Sequence, residues 1–94
     1  MRVLAIDFGD RNIGLALSDS LRLTAQPLTT YALKNREDED RRYFKELVLK
    51  HDIGEILIGL PLRMDGTAGT RVDKTRAFAG WLKTFVPLPV IFWD

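Results

Sequence analysis

The chain has no cysteine and a single histidine, His51. The first absence removes disulfide scaffolds, thiolate zinc sites and cysteine nucleophiles together. Charge of one sign is also missing. Fourteen Lys and Arg face thirteen Asp and Glu, a formal net charge of +1 at pH 7. Bulk charge therefore gives no argument for a polyanionic partner; only local distribution can. No apolar run approaches the eighteen or so residues of a membrane span. The start, MRVLAIDFGD, has one basic residue and a short apolar run that meets acid at Asp7, which is not a signal peptide. A cytoplasmic protein with no membrane contact is the expectation. What remains is ordinary globular composition: 94 residues, 46% apolar and 29% charged. Surface scaling gives roughly 5,500 Å² accessible when folded against about 15,500 Å² unfolded. That suffices for one hydrophobic core, so residues 1–94 are read as a single domain.

Val3-Leu4-Ala5-Ile6 is a continuous apolar run ending at Asp7-Phe8-Gly9-Asp10, which reads as a buried strand and a turn. In residues 13–18, I-G-L-A-L-S, large residues alternate with small ones. That is a period of two, hence a second strand whose small side chains face something close. Residues 9–12 have hairpin length and turn chemistry. A third strand fits 21–31, and Pro27 within it demands an edge position or a bulge.

Asn35 to Asp40 is the most charged stretch and reads as a helix N-terminus, with Asn35 or Asp38 as cap. Tyr43, Phe44, Leu47, Val48 and His51 follow with helical spacing, and Gly54 is the expected stop. Residues 55–60 form a buried strand closed by Pro61, and 63–69 a loop. Thr70 to Asp73 resembles a capping box. Val72, Ala79, Leu82 and Phe85 or Val86 stripe a second helix that Pro87 and Pro89 end. Val90 to Trp93 is a fifth strand. The order is β-β-β-α-β-α-β, a mixed α/β sheet from a meander and two right-handed crossovers. A final buried strand with nothing after Trp93-Asp94 suggests a piece of a longer domain.

The sharpest chemical feature is Asp7, followed two residues on by Gly9. A carboxylate at a buried strand end is costly unless paired or holding a metal. Gly9 lets the chain turn tightly and lets a ligand approach. Three uses are open at this point: a divalent-metal ligand, a phosphate-facing hairpin, or a turn aspartate bonded to its own backbone.

The run 7–19, D-F-G-D-R-N-I-G-L-A-L-S-D, resembles position by position the opening D-x-G-x-[KR]-x-I-G-x-A-x-S-D of the YqgF family, also called RuvX. Those proteins are described as Holliday junction resolvases and as nucleases of the small-subunit ribosomal RNA precursor. Gly59-Leu60-Pro61-Leu62 with Met64-Asp65-Gly66 is similar to the family's second block, and residues 90–94 to the entry of its third, D-E-R-x-T. The resemblance spans the whole chain. It implies an RNase H-like fold whose final helix is missing here. It also implies metal-dependent hydrolysis of phosphodiester bonds, with Mg²⁺ or Mn²⁺ held by carboxylates at strand ends.

On that resemblance Asp7 is the first catalytic and metal-ligand candidate, and Asp94 the second, because strand five should lie near strand one. Arg11 beside the site, and Arg63, Arg71 and Lys74 around the 65–66 loop, are candidate contacts to a nucleic-acid backbone. Solvated turn and helix faces are the plain alternative for all four. Gly59 and Pro61 are expected to shape the strand exit beside the site, as Gly9 does. Asp65-Gly66 is turn chemistry, and Asp19 a turn acid. His51 fits a helix C-terminus, where a cation is favoured. Trp81 and Trp93 are expected to pack rather than stack on bases, since neither sits in a basic cluster.

Two competing functions remain. One is a lobe of an actin-like or sugar-kinase-like ATPase, which also opens with a strand, Asp-x-Gly and a phosphate-cradling hairpin; such enzymes need two lobes, and this chain has room for one. The other is a non-catalytic interaction module. Loss of a covering helix would leave part of the sheet as an exposed apolar patch open to homo-oligomerisation.

Overall fold

A computed structural model describes residues 1–9, 11–19, 25–60 and 69–93, with backbone only at Gly69 and Thr70. Its elements are β1 (Arg2–Phe8), β2 (Asn12–Ser18), β3 (Ala25–Ala32), α1 (Glu37–Lys50), β4 (Ile53–Gly59), α2 (Gly69–Lys83) and β5 (Val90–Trp93). The order is the one the periodicities predict. One five-stranded sheet runs β3-β2-β1-β4-β5. β1, β2 and β3 form the antiparallel meander, while β4 and β5 join parallel to β1. Among the described residues no helix is long and apolar enough to cross a membrane.

Strand alternation sorts the sheet into two faces. Leu4, Ile6, Ile13, Leu15, Ile56 and Ile58 are buried with Phe44 and Leu47 of α1 and Phe78, Ala79 and Leu82 of α2. Both helices therefore cover the same face. They meet through rings: Phe44 lies 5.7 Å from Phe78 and 6.1 Å from Trp81, edge-on in both cases, and Phe8 lies 4.8 Å from Phe78. Such pairs contribute about 0.5–1.5 kcal/mol each beyond their burial. Trp81 packs as expected. The opposite face carries Ala5, Asp7, Gly14, Ala16, Leu57, Gly59, Ile91 and Trp93. No described helix covers it. Among the described residues, Ile91 is 41% exposed and Trp93 67%.

Local signals account for most boundaries. β3 is an edge strand, and its pairing with β2 shifts register between Leu15↔Thr29 and Ala16↔Pro27. Pro27 thus takes both permitted places, edge and bulge. Three boundaries depart from expectation. Neither Asn35 nor Asp38 caps α1: Arg36 holds the cap position without a side-chain bond, and Asn35 turns the chain at φ 58°. Asp40, not the cap, satisfies the entry. Its buried carboxylate accepts from the Tyr31 hydroxyl and from the Lys34 N–H at 3.1 Å. Partial burial first, and then the bond to Asp40, raise the Tyr31 hydroxyl above the ordinary tyrosine range. Gly54 lies inside β4; α1 ends instead through His51 as C-cap, whose N–H donates to the Leu47 carbonyl, and Asp52 at φ 52°. α2 begins at Gly69, so Thr70 is inside the helix rather than capping it, and it ends at Lys83, before the prolines.

Candidate active site

Because β1, β4 and β5 are parallel, their carboxyl ends finish on one edge, where ligands of open α/β sheets gather. Asp7 is the penultimate residue of β1 and faces Gly14 of β2. The alternation that buries Leu4 and Ile6 under the helices turns Asp7 to the open face, where it is exposed. On the other side, Ile6 pairs with Ile58, which puts Gly59 one step further along beside Asp7. A side chain added at Gly14 would touch the Asp7 Cβ at 3.5 Å; one added at Gly59 would meet nothing nearer than the Ile6 carbonyl oxygen at 3.9 Å. Asp7 therefore stands in a shallow trough whose two walls carry no Cβ. Sequence reading noticed the small residues of β2 but not that one of them clears the space beside Asp7.

Gly9 follows for a different reason. A Cβ there would lie 2.5 Å from the Asn12 carbonyl oxygen, a backbone atom that cannot swing aside. The turn closes only without a side chain at that position. The chain just beyond β3 braces the turn as well, since the Leu33 N–H donates to the Arg11 carbonyl at 3.0 Å. Arg11 itself is exposed.

Arg71, in the first turn of α2, donates from Nη1 to the Phe8 carbonyl at 3.4 Å. This contact sets the N-terminal end of α2 against the end of β1, one residue beyond Asp7. That first turn contains no acid. Lys74 is exposed one turn on and is engaged in a contact of its own. Arg76, which sequence reading did not single out, lies 5.3 Å over the Phe92 ring.

The structure thus brings together Asp7, Gly9, Gly59 and Arg71, with Arg11 on the adjoining turn. Arg63, Pro61 and Asp94 lie outside the described residues. β5 is not the neighbour of β1: β4 intervenes, so the two strands are about 10 Å apart at ordinary strand spacing. Among the described residues the Asp7 carboxylate makes no ion pair or hydrogen bond, and no three His, Asp or Glu side chains form a metal-ligating group. An exposed carboxylate with no described cation on it is a hard oxygen donor of the kind Mg²⁺ and Mn²⁺ take, so Asp7 fits as one ligand. His51 closes α1 at the opposite end from this edge, as its place in the sequence foretold.

Known proteins share the family and the fold. The family model described as "RuvX: Holliday junction resolvase" matches residues 1–94. A protein of Koribacter versatilis named "Putative pre-16S rRNA nuclease" is 45% identical over 93 residues, 99% of this chain and 60% of the relative. One of the same name from Pelotomaculum thermopropionicum is 43% identical over 94 residues, 100% of this chain and 61% of the relative. The chain spans about 60% of the length of these curated relatives. Among solved structures, RuvC of T. thermophilus in complex with a Holliday junction substrate superposes with a TM-score of 0.65 at 16% identity, over 99% of this chain and 64% of that one. The fold is therefore that of RuvC, as the RNase H-like expectation held.

Proposed function

Since the chain belongs to the RuvX family, we propose that Asp7 is a catalytic residue of a cytoplasmic, metal-dependent nuclease that hydrolyses phosphodiester bonds of structured nucleic acid. The observation that carries the reading is the exposed Asp7 carboxylate, which has no ion pair or hydrogen bond among the described residues, set between Gly14 and Gly59 at the common end of three parallel strands. A Mg²⁺ or Mn²⁺ ion held there would supply an activated water and offset the charge that develops on the phosphate.

The chain's own residues do the rest. Asp7 would hold the ion, and Asp94, which lies outside the described residues, is proposed as a further ligand. Gly14 and Gly59 let a sugar–phosphate strand approach the sheet where any side chain would stand in its way. Gly9 keeps the first turn tight enough for that approach. Arg71, fixed by its bond to Phe8, aims positive charge at the same edge. The acid-free first turn of α2 adds its amide dipoles there. Arg11 lies on the adjoining turn, and Arg11, Arg63 and Lys74 are proposed as further contacts to the backbone, Arg63 lying outside the described residues. Contacts of this kind position a strand and carry no base information. The names of relatives above 40% identity favour a precursor of 16S rRNA over a four-way junction as substrate.

The test is incubation with a pre-16S transcript and, separately, a four-way DNA junction, each with Mg²⁺ or Mn²⁺ and with a chelator. Metal-dependent cleavage of the transcript is expected. Cleavage that persists in the chelator, or ATP hydrolysis in place of strand cleavage, would overturn the reading.

A further inference from the structure

β1 is paired on both sides only as far as Ile6. Its ladder with β4 ends at Ile6↔Ile58, while its ladder with β2 runs on through Asp7↔Gly14 and Phe8↔Ile13. Past that row Asp7 and Phe8 are paired with one neighbouring strand. On the other side α2 takes hold, and two of its side chains converge on Phe8. The Phe8 ring packs on Phe78 with centroids 4.8 Å apart, closer than Phe44 at 5.7 Å or Trp81 at 5.8 Å comes to the same ring. The Phe8 carbonyl accepts from Arg71 Nη1 at 3.4 Å. Arg71, Thr75 and Phe78 are spaced i, i+4, i+7, which is one face of a helix, and Thr75 between the other two is 1% exposed. Strand alternation sends the Phe8 ring under the helices and the Asp7 side chain to the opposite face. A hold on the ring is therefore a hold on the backbone that carries the carboxylate.

We infer that Phe78 is a positioning residue: acting through the Phe8 ring, it fixes the end of β1 and with it the Asp7 carboxylate. The consequence for cleavage rests on the nuclease reading; the hold on the strand end does not. Core filling accounts for the burial of Phe78, but it does not say where loss of the ring is felt. Among the described residues Phe78 supplies the one ring that the Phe8 ring meets. An aliphatic residue at 78 keeps the core apolar and removes the flat face on which Phe8 rests. The strand end then gains freedom on the side where β4 has stopped pairing with it, while Leu4 and Ile6 stay paired on both sides. Misplacing a reacting group by about 1 Å can cost on the order of a hundredfold in rate. A group that is loosened rather than displaced loses less, about tenfold.

The test is backbone amide relaxation by NMR on the unaltered protein and on Phe78→Leu, without metal or substrate. Order parameters at Asp7, Phe8 and Gly9 are expected to fall from about 0.85, the value of rigid backbone, towards about 0.6. Those at Leu4 and Ile6 should stay near 0.85, about the rigid value. Val86→Ala, which removes buried volume beyond the end of α2, should leave all of these unchanged. Phe8→Tyr keeps the ring and should match the unaltered protein. Phe8→Leu removes the same ring pair at a half-buried position, so it gives the answer if Phe78→Leu does not fold. In cleavage with Mn²⁺, Phe78→Leu should lower kcat about tenfold with KM little changed. Unchanged order parameters at residues 7–9 in a folded variant without the ring pair overturn the inference. So does a fall spread evenly along β1, or one that Val86→Ala reproduces, because the ring then serves core stability alone. If Asp7→Asn stops cleavage but the loosened Phe78→Leu keeps its kcat, the positioning role falls by itself. If residues 7–9 loosen as expected and the unaltered protein cleaves no nucleic acid, the hold on the strand end stands and the nuclease reading falls.

Discussion

Replacing Tyr31 by Phe removes one oxygen atom and tests how the second half of the fold is fastened to the meander. Tyr31 stacks on Tyr43 with centroids 3.8 Å apart and touches Phe44 edge-on. Phe retains those contacts. What is lost is the hydroxyl donated to Asp40, a carboxylate only 5% exposed, which keeps the Lys34 N–H as its remaining donor. A hydrogen bond to a charged group contributes about 1.5–3 kcal/mol. Tyr31 is only half-buried, so water can partly replace its hydroxyl, and the lower end, about 1.5 kcal/mol, is expected. For a domain of this size that lowers Tm by roughly 6–12 °C. The effect has a pH signature. The folded Tyr31 hydroxyl loses its proton at higher pH than an unfolded one. The extra stability is therefore whole below the unfolded value of 10.0 and is lost as pH climbs through the raised folded value. Urea unfolding of both proteins from pH 7 to pH 11 measures it. The gap should be constant to about pH 10 and then narrow. A difference under about 0.5 kcal/mol at pH 7 would show that the bond contributes no more than an ordinary surface contact.

Gly9→Ala places a Cβ against the Asn12 carbonyl; urea unfolding should show a loss of about 1–3 kcal/mol, and the first turn should shift. Arg71→Ala removes one long bond on an exposed side chain. Stability should stay within about 0.5 kcal/mol, while cleavage slows about tenfold, as loss of one charge-assisted phosphate contact predicts. Asp52→Gly relieves a left-handed residue at φ 52° and should raise stability by about 0.5 kcal/mol in thermal unfolding.

The strands and their order were legible because their signals are local. An apolar run breaking at Asp7 marks where β1 leaves the sheet. Alternation from 13 to 18 defines β2, and Pro27 can sit only at an edge or a bulge. The helix ends were less legible because tertiary contacts set them. Asp40 reads as one more acid in a charged run, yet it is buried because Tyr31, nine residues earlier, reaches it. Gly54 reads as a helix stop because a glycine follows the last helically spaced residues, but β4 continues through it. The candidate site was half legible. Asp-x-Gly identifies the carboxylate. The clearing around it depends on Gly14 and Gly59 coming from two different strands, a fact of register rather than of spacing. The distance from β1 to β5 depends on which side of β4 the last crossover lands. None of these is written in a run of neighbouring residues.

The account stands or falls on the Asp7 carboxylate. The direct measurement is strand cleavage of a pre-16S transcript by the unaltered protein and by Asp7→Asn, in Mn²⁺, with circular dichroism of both to show the same fold. The account predicts that the substitution leaves the fold intact and reduces cleavage at least about a hundredfold, consistent with loss of a group that acts on the reacting phosphate. Cleavage at an unchanged rate by the folded Asp7→Asn protein would contradict it.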